Sequence, residues 1–183
     1  MKVLILAAGY GKRLYPLTKY IAKPLLIVKG LPIIEHLVLK VNNIRGVKEI
    51  LIVTNDRFYK SFRKWKSDSG FSKVAILNDG TKSPGNRMGA VGDIQYAIKH
   101  KKINDDLLIL GGDNFFGFNL LDFIIFGQTK SPFCSIGVYN IHNKLKAKRF
   151  GTLKLNRDNR VIDFKEKSRK PDTTFVSPCI YYF

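Results

Sequence analysis

The chain begins with Met1-Lys-Val-Leu-Ile-Leu-Ala-Ala-Gly-Tyr-Gly-Lys-Arg-Leu-Tyr-Pro-Leu-Thr18, and the triplet Lys23-Pro-Leu25 follows shortly after. The aliphatic start and the two alanines predict a buried strand that runs into a loop with little side-chain bulk. Gly9 and Gly11 leave the backbone N–H groups of this loop free to approach an anion. This segment therefore predicts a first strand followed by a phosphate-binding loop.

Two permanent cations, Arg13 and Lys23, come after the loop. A guanidinium offers a planar fork of donors and an ammonium offers a compact charge, and a triphosphate requires both kinds of contact. The P-loop motif is excluded because its Lys-Ser/Thr pair is absent. The dinucleotide motif is excluded because Leu14 stands where its third glycine belongs. The alternative to a phosphate site is a glycine turn with solvated Arg13 and Lys23.

The pattern G-x-G-x-R-L-x-P-L-T followed by K-P-L resembles the signature of the sugar-phosphate nucleotidyltransferases, the family of glucose-1-phosphate thymidylyl-, uridylyl- and cytidylyltransferases. The resemblance covers nearly all of this chain but only the larger first part of a typical member, so we expect a C-terminally shortened chain. It implies Mg²⁺-dependent transfer of a nucleotidyl group from a nucleoside triphosphate to a sugar 1-phosphate, or a related phosphorylated alcohol, with release of pyrophosphate.

Composition indicates one domain over residues 1–183. Hydrophobic residues make up 45% of the chain, which is enough for a substantial core. No apolar run has the length of a membrane helix or of a signal-peptide core, so we expect a cytoplasmic protein without a membrane partner. The two cysteines lack metal-type spacing, which favours buried reduced thiols over a disulfide or a zinc site.

The formal net charge of +18 would concentrate anions near the protein. The basic residues are scattered, and no basic helix or motif for reading nucleic acid accompanies them. We therefore favour a solvated basic surface over a specific nucleic-acid partner, and nucleic-acid binding remains the alternative that the charge alone suggests.

Strands alternate with helices over the first two thirds of the chain, which predicts an α/β fold: a Rossmann-like, doubly wound, mostly parallel sheet with helices on both faces. After the strand at Val3–Ala8, the predicted strands are Glu49–Asn55, Lys73–Asn78 and Asp106–Leu110, and the predicted helices cover Ile34–Val41, Phe58–Lys66 and Ala90–Lys101. The nucleotide-binding part is expected over about residues 1–130.

In the C-terminal third, predicted strands follow one another with little helix between them. It predicts antiparallel and mixed strands, and we expect the sugar-phosphate-binding part over about residues 131–183. The predicted strands are Phe133–Tyr139, Gly151–Leu155, Val161–Lys165 and Phe175–Phe183, with a hairpin turn at Asn156–Asn159.

Ligands of such sheets bind beyond the carboxyl ends of the parallel strands, and three loops leave those ends: Gly9–Arg13, Asn78–Gly92 and Gly111–Asn114. The resemblance implies that the second loop clasps the base and ribose, although a flexible surface loop would look similar. Met88-Gly-Ala90 replaces the family's Gly-Thr-Ala, so the sequence does not predict which nucleobase is bound. The residues expected to bind the nucleotide are Ala8, Gly9, Gly11, Asp79 and Gly89.

In the third loop, Asp113 follows two glycines at a strand end and suits Mg²⁺, which prefers a carboxylate plus phosphate oxygens and water. It resembles the family's G-D-N metal site; the alternative is a carboxylate that caps the next turn. The family's second metal-binding Asp has no match in this sequence. The resemblance implies that Arg13, Lys23 and Asp113 carry the catalysis.

In the C-terminal part, Arg149-Phe-Gly151 and Phe164-Lys-Glu-Lys167 resemble the family's R-Y-G and F-x-E-K-P segments. The resemblance implies that Gly151 and Glu166 contact the sugar and that Lys167 contacts its phosphate. Without it, an ordinary strand with exposed charges would be favoured. Ser168 replaces the usual proline, and Cys179 replaces the glycine of G-I-Y-Y-F, where a side chain narrows the pocket.

A second interpretation is a catalytically weak or regulatory nucleotide-binding subunit, because the second metal carboxylate is missing. The sequence leaves open the base, the acceptor and the role of the positive charge. A sheet edge expected at residues 175–183 suggests pairing with another copy of the chain, and hence a homo-oligomer.

Overall fold

The structure is a computed structural model that describes residues 1–183. Its strands are β1 Lys2–Leu6, β2 Ile27–Val28, β3 Leu31–Pro32, β4 Glu49–Thr54, β5 Val74–Asn78, β6 Leu107–Gly111, β7 Ser135–Ile136, β8 Tyr139–Asn140, β9 Gly151–Leu155, β10 Val161–Glu166, β11 Phe175–Ser177 and β12 Ile180–Tyr182. Its α-helices are α1 Ile33–Asn42, α2 Asp56–Ser69, α3 Gly89–His100, α4 Leu120–Thr129 and α5 Lys144–Ala147.

The central sheet has six strands in the order β5-β4-β1-β6-β12-β7. Strands β5, β4, β1 and β6 run parallel to one another, and β12 runs antiparallel to both β6 and β7. The aliphatic runs of β1, β4 and β6 are almost fully buried, as expected for parallel strands covered on both faces. The predicted Rossmann-like, mostly parallel sheet is confirmed.

Alternate residues of β1 enter two separate cores. Val3 and Ile5 belong to the larger core, which α1, α2 and α4 cover, whereas Leu4 belongs to the smaller core, which contains Ala97 of α3. Helices therefore lie on both faces of the sheet, as predicted. This layering leaves the carboxyl ends of β1, β4, β5 and β6 at one edge, where their loops meet.

The C-terminal third forms a second, antiparallel sheet in the order β10-β9-β11-β8. Two strands predicted as continuous are each divided between the two sheets, so those predictions were wrong. The segment predicted at Phe133–Tyr139 becomes β7 and β8. The segment predicted at Phe175–Phe183 becomes β11 and β12, because Pro178 lacks an N–H group and Cys179 adopts a φ of +58°.

The expected sheet edge at residues 175–183 was also wrong. β12 lies between β6 and β7, and β11 lies between β9 and β8, so neither strand offers a free edge for another chain. The homo-oligomer stays a prediction without that support. No helix is long and apolar enough to cross a lipid bilayer.

Helix α4 was missed because its sequence is apolar on nearly every side and shows no helical period. Asn119 caps it by accepting a hydrogen bond from the Leu121 N–H group at 3.1 Å. Gly127 lies against Tyr182, and a Cβ atom there would come within 2.6 Å of the ring. This close approach places α4 directly on β12.

Candidate active site

The glycine loop leaves β1 as a direct continuation of the sheet. The Ala7 N–H group donates to the Val53 carbonyl at 2.8 Å, and the buried Asn55 amide donates to the Ala8 carbonyl at 2.9 Å. Ala8 is buried, whereas Gly9 is exposed and nothing lies within 4 Å of a Cβ built on it. The loop therefore has open space at Gly9, and the hydrogen bonds from Ala7 and Asn55 fix the backbone that leads to it.

Gly11 turns the loop into a short 3₁₀ helix, Lys12–Leu14. Its φ is +62°, and a Cβ there would lie 3.0 Å from the buried Thr18 side chain, whose hydroxyl donates to the Gly11 carbonyl at 2.7 Å. A side chain at this position would meet both backbone strain and a steric contact. Arg13 lies exposed on the 3₁₀ turn.

Tyr10 points inward between the two glycines and joins the glycine loop to the loop of residues 78–92. It is 6% exposed, and its hydroxyl donates to the Thr81 carbonyl at 3.0 Å. Asp79 is also buried, and its Oδ1 accepts from the Thr81 N–H group at 2.7 Å and from the Thr81 hydroxyl at 2.8 Å. The Asp79 side chain is thus engaged within its own loop.

Gly89 is the first residue of α3 and adopts a φ of +76°, with nothing within 4 Å of a Cβ built on it. The residues around it, Met88 and Val91, are exposed apolar side chains. An open helix start flanked by apolar groups is a suitable surface for a flat ring such as a nucleobase.

Lys23 and Asp113 come together from distant parts of the chain. Lys23 begins the 3₁₀ helix Lys23–Leu25, which the buried neighbours Ala22 and Pro24 anchor. Asp113 follows β6, where the Gly112 N–H group donates to the Leu6 carbonyl at 2.8 Å. The Lys23 ammonium donates to Asp113 Oδ2 at 2.5 Å, and both side chains stay partly exposed.

The donor set at Asp113 fits one mode of Mg²⁺ binding. No group of three His, Cys, Asp or Glu side chains is arranged to hold a metal ion, so a cage made only of protein ligands is absent. Mg²⁺ also binds through one or two carboxylates, with substrate phosphates and water as its other ligands. Asp113 is partly exposed at the carboxyl end of a central strand and suits that second mode.

The predicted sugar contacts lie together on the second sheet. Gly151 pairs with Glu166 across β9 and β10, and a Cβ on Gly151 would come within 2.5 Å of the Phe164 ring and 3.0 Å of a Glu166 oxygen. The Glu166 carboxylate forms an ion pair with Lys167, whose N–H group donates to the Phe150 carbonyl at 3.1 Å. Both charged side chains are exposed.

Cys179 lies where the two halves of the site meet. Its carbonyl accepts from the Gly111 N–H group at 2.8 Å, and its Sγ lies 3.5 Å from a Cβ position built on Gly111. Burial, together with the negative charges of Asp113 and Glu166, raises the pKa of its thiol to about 11. The charges of both the expected metal ligand and the expected sugar contact therefore act on this thiol.

Neither cysteine is paired. The expectation of two buried thiols was wrong for Cys134, which is exposed, and only partly met by Cys179, which is half-buried. The sequence motifs also did not reveal the side chains whose hydrogen bonds support the loops of the site. They are Tyr10, Thr18, Asn55, Thr81 and Asn114, whose amide donates to the Pro178 carbonyl at 2.5 Å. The signal available in the sequence was Asn55 directly after a buried strand, a typical helix-cap position, and it caps α2.

Comparisons with known proteins identify the family of the chain. The family model described as nucleotidyl transferase matches residues 2–183. A glucose-1-phosphate thymidylyltransferase of Neisseria meningitidis is 27% identical over 185 residues, covering 100% of this chain and 61% of that protein. The bifunctional protein GlmU of Methanocaldococcus jannaschii is 26% identical over 183 residues, covering 100% of this chain and 40% of that protein.

The fold also matches a solved structure. The crystal structure of a Bacillus anthracis protein provisionally assigned as a glucose-1-phosphate thymidylyltransferase, in complex with sucrose, aligns with a TM-score of 0.85 at 22% identity. The match covers 100% of this chain and 71% of that one. The chain thus spans less than two thirds of the length of the curated relatives above. Because the family model matches almost every residue, the chain belongs to the nucleotidyl transferase family.

Proposed function

We propose that this protein transfers a nucleotidyl group from a nucleoside triphosphate to a sugar 1-phosphate or a related phosphorylated alcohol. The observation that carries the proposal is the contact between Lys23 and Asp113, 2.5 Å apart at the carboxyl ends of the central strands and beside an open glycine loop. A cation, a carboxylate and free backbone N–H groups in one place are the parts that phosphoryl-type transfer needs.

The reaction joins the acceptor's phosphate oxygen to the α-phosphorus of the triphosphate. The bond from that phosphorus to the oxygen bridging it to the β-phosphorus breaks, and pyrophosphate leaves with the bond's electron pair. In this proposal Gly9 and Gly11 bind the phosphates through backbone N–H groups, and Arg13 binds the leaving pyrophosphate. Lys23 stabilises the α-phosphate as charge develops on it. Positioning and charge stabilisation supply most of such catalysis.

The ion pair between Lys23 and Asp113 is partly exposed, so a phosphate of the substrate can reach Lys23 and replace Asp113 as its partner. An α-phosphate beside Lys23 would take over the ammonium and free the Asp113 carboxylate to bind Mg²⁺ together with the phosphate oxygens. When bound, the metal ion would supply positive charge that neutralises the triphosphate. Lys23 then keeps its role as the donor fixed by the protein.

The acceptor side of the proposal rests on Glu166, Gly151 and Lys167. A carboxylate can accept hydrogen bonds from sugar hydroxyls, an ammonium can bind the sugar's phosphate, and Gly151 lets Glu166 lie close over β9. The charges of Glu166 and Asp113 both act on the Cys179 thiol, which supports an acceptor located between the two sheets. The formal net charge of +18 favours the approach of both anionic substrates.

The test is release of pyrophosphate from the purified chain with Mg²⁺, each of ATP, GTP, CTP, UTP and dTTP, and a panel of sugar 1-phosphates and phosphorylated alcohols. We expect release with a defined nucleotide–acceptor pair, and loss of release in Lys23→Ala. Lys64→Ala is the matched control, because Lys64 also pairs with a carboxylate but is 80% exposed on α2. Turnover that survives in Lys23→Ala would overturn the proposal.

The second candidate is a nucleotide-binding subunit without turnover. It is favoured by the absence of a three-ligand metal group and by the side chain of Cys179 within the acceptor region. Tight nucleotide binding without pyrophosphate release from any pair would support this candidate over the transferase.

A further inference from the structure

Asp93, the fifth residue of α3, is a buried carboxyl group without a cation. It is 6% exposed, and its Oδ1 has no hydrogen-bond partner. Acidic side chains are seldom buried unless they are paired with a cation or bound to a metal. The charged group that acts on Asp93 is instead another carboxylate, Asp79, in the loop that follows β5.

The basic side chains of α3 and of the neighbouring α2 are not among the groups that act on Asp93. Strands β1 and β4 contribute apolar side chains to the core beneath α3. On α3 itself, the Tyr96 hydroxyl donates to the Asn78 carbonyl at 2.7 Å, and Tyr59 of α2 acts electrostatically on Tyr96. The apolar residues from the two strands are Leu4, Leu51 and Val53.

Burial and the Asp79 carboxylate together raise the pKa of Asp93 to about 7. Asp93 therefore carries a proton over the weakly acidic range. A neutral Asp93 can donate that proton to Asp79, whereas an ionised Asp93 would repel it.

Asp79 carries this interaction to the glycine loop. Its Oδ1 accepts from the Thr81 N–H group at 2.7 Å, and the Tyr10 hydroxyl donates to the Thr81 carbonyl at 3.0 Å. Tyr10 stands between the two glycines expected to bind phosphate. A continuous series of contacts thus leads from α3 through Asp79, Thr81 and Tyr10 to the nucleotide site.

We propose that Asp93 is a positioning residue of the nucleotide site. As a neutral donor to Asp79 it holds the loop of residues 78–92 against Tyr10, and its ionisation weakens nucleotide binding. The inference rests on the proposed function, because it assigns to Asp93 the support of the same nucleotide-binding loops.

The test is nucleotide affinity measured by calorimetry at pH 6, 7 and 8 on the full chain. The probe is whichever of ATP, GTP, CTP, UTP and dTTP binds most tightly. Three variants are compared with the unmodified protein. Asp93→Asn keeps a donor but does not ionise, and Asp93→Ala removes the donor. Asp122→Asn is the matched control, because it makes the same change at an exposed position early in α4.

Between pH 6 and 8, the nucleotide affinity of the unmodified protein and of Asp122→Asn should fall about tenfold more than that of Asp93→Asn. A tenfold difference corresponds to a change of one unit in the pKa of Asp93 when the nucleotide binds. The phosphates of the nucleotide ionise identically in every experiment, so the comparison cancels their contribution. Asp93→Ala should bind weakly at every pH. Amide hydrogen exchange of residues 78–92 without nucleotide should quicken with pH more in the unmodified protein than in Asp93→Asn.

Parallel pH profiles for the unmodified protein and Asp93→Asn, with binding intact, would overturn the positioning role and leave the proposed function standing. Absence of nucleotide binding in the unmodified protein and Asp122→Asn at every pH would overturn the proposed function, and this inference with it. Because Asp93→Asn is nearly isosteric, the comparison does not depend on whether Asp93→Ala folds.

Discussion

The ammonium of Lys23 lies 2.5 Å from the carboxylate of Asp113, although the two residues are 90 positions apart in the chain. Both side chains are partly exposed, and pairs of this kind contribute about 1 kcal/mol or less to stability. The contact therefore does little for folding. Its value lies in bringing opposite charges together at the place where a triphosphate would be bound.

Replacing Lys23 by Ala should separate catalysis from stability. We expect kcat for pyrophosphate release to fall by about 10²–10³, because a preorganised charge is removed from the transition state. The free energy of unfolding in urea should change by less than about 1 kcal/mol. A large loss of stability with unchanged kcat would assign the pair to the fold instead.

The two glycines of the first loop should respond differently to Ala. Gly9→Ala meets no atom within 4 Å, so the melting temperature should stay unchanged while nucleotide affinity falls at least about tenfold, because the methyl group occupies space left for phosphate. Gly11→Ala should lose affinity and also about 1–2 kcal/mol of stability, because of its φ of +62° and its contact with Thr18. Calorimetry and thermal melts measure both, and unaltered affinity in Gly9→Ala would contradict the phosphate role.

Cys179→Gly should widen the acceptor region. A φ of +58° costs a non-glycine residue about 1–2 kcal/mol, so glycine relieves strain while adding chain entropy to the unfolded state, and stability should change little. KM for bulky hexose 1-phosphates should fall relative to KM for small phosphorylated alcohols. Cys179→Ser keeps the side-chain volume and serves as the control. Equal KM values in all three proteins would show that Cys179 does not limit acceptor size.

The buried Asp93 should make stability depend on pH. Its carboxyl titrates near pH 3.8 when unfolded and near pH 7 when folded, so the unfolded state binds fewer protons between those values. The free energy of unfolding should therefore fall by about 4 kcal/mol as pH rises from about 4 to 8, and this contribution should then level off.

Asp93→Asn removes that titration. Its stability relative to the unmodified protein should rise across the same pH range, as measured by urea unfolding at half-unit intervals. Asp122→Asn is exposed and should follow the unmodified protein. A stability difference between Asp93→Asn and the unmodified protein that stays constant from pH 4 to 8 would contradict the raised pKa.

The sequence predicted the central sheet well because its strands are nearly continuous aliphatic runs, such as Val3–Ile5 and Ile50–Val53, separated by helices of regular period. The candidate residues of each motif could also be predicted from the sequence, because each motif lies within one short segment. Lys23 and Asp113 were each identified in this way. Their direct contact was not, because it depends on how β1 and β6 pair.

Other features depend on three-dimensional contacts that no local pattern contains. Tyr10 would be expected to point outward from a glycine loop, yet it reaches Thr81, 71 positions away. Asp93 would be placed on a solvated helix face by its charge, yet it is 6% exposed and the Asp79 carboxylate helps to raise its pKa. The two predicted C-terminal strands are each broken where the chain passes between the six-stranded and the four-stranded sheet, and no local pattern marks that passage.

The two places where the chain passes between the sheets lie side by side: Gly137–Val138 leads out of the six-stranded sheet, and Pro178–Cys179 leads back into it. They are tied together by a hydrogen bond of 2.8 Å from the Gly137 N–H group to the Ile180 carbonyl. The antiparallel sheet between them, from β8 to β11, carries Glu166 and is also held through Arg160, whose guanidinium lies over the Phe133 ring. The paired crossings therefore fix the position of that sheet on the six-stranded sheet. Cys179 lies on one crossing, and the charges of Asp113 and Glu166 both act on its thiol. A substitution at either crossing should therefore change the distance between the expected acceptor residues and the carboxylate of Asp113, without touching either group.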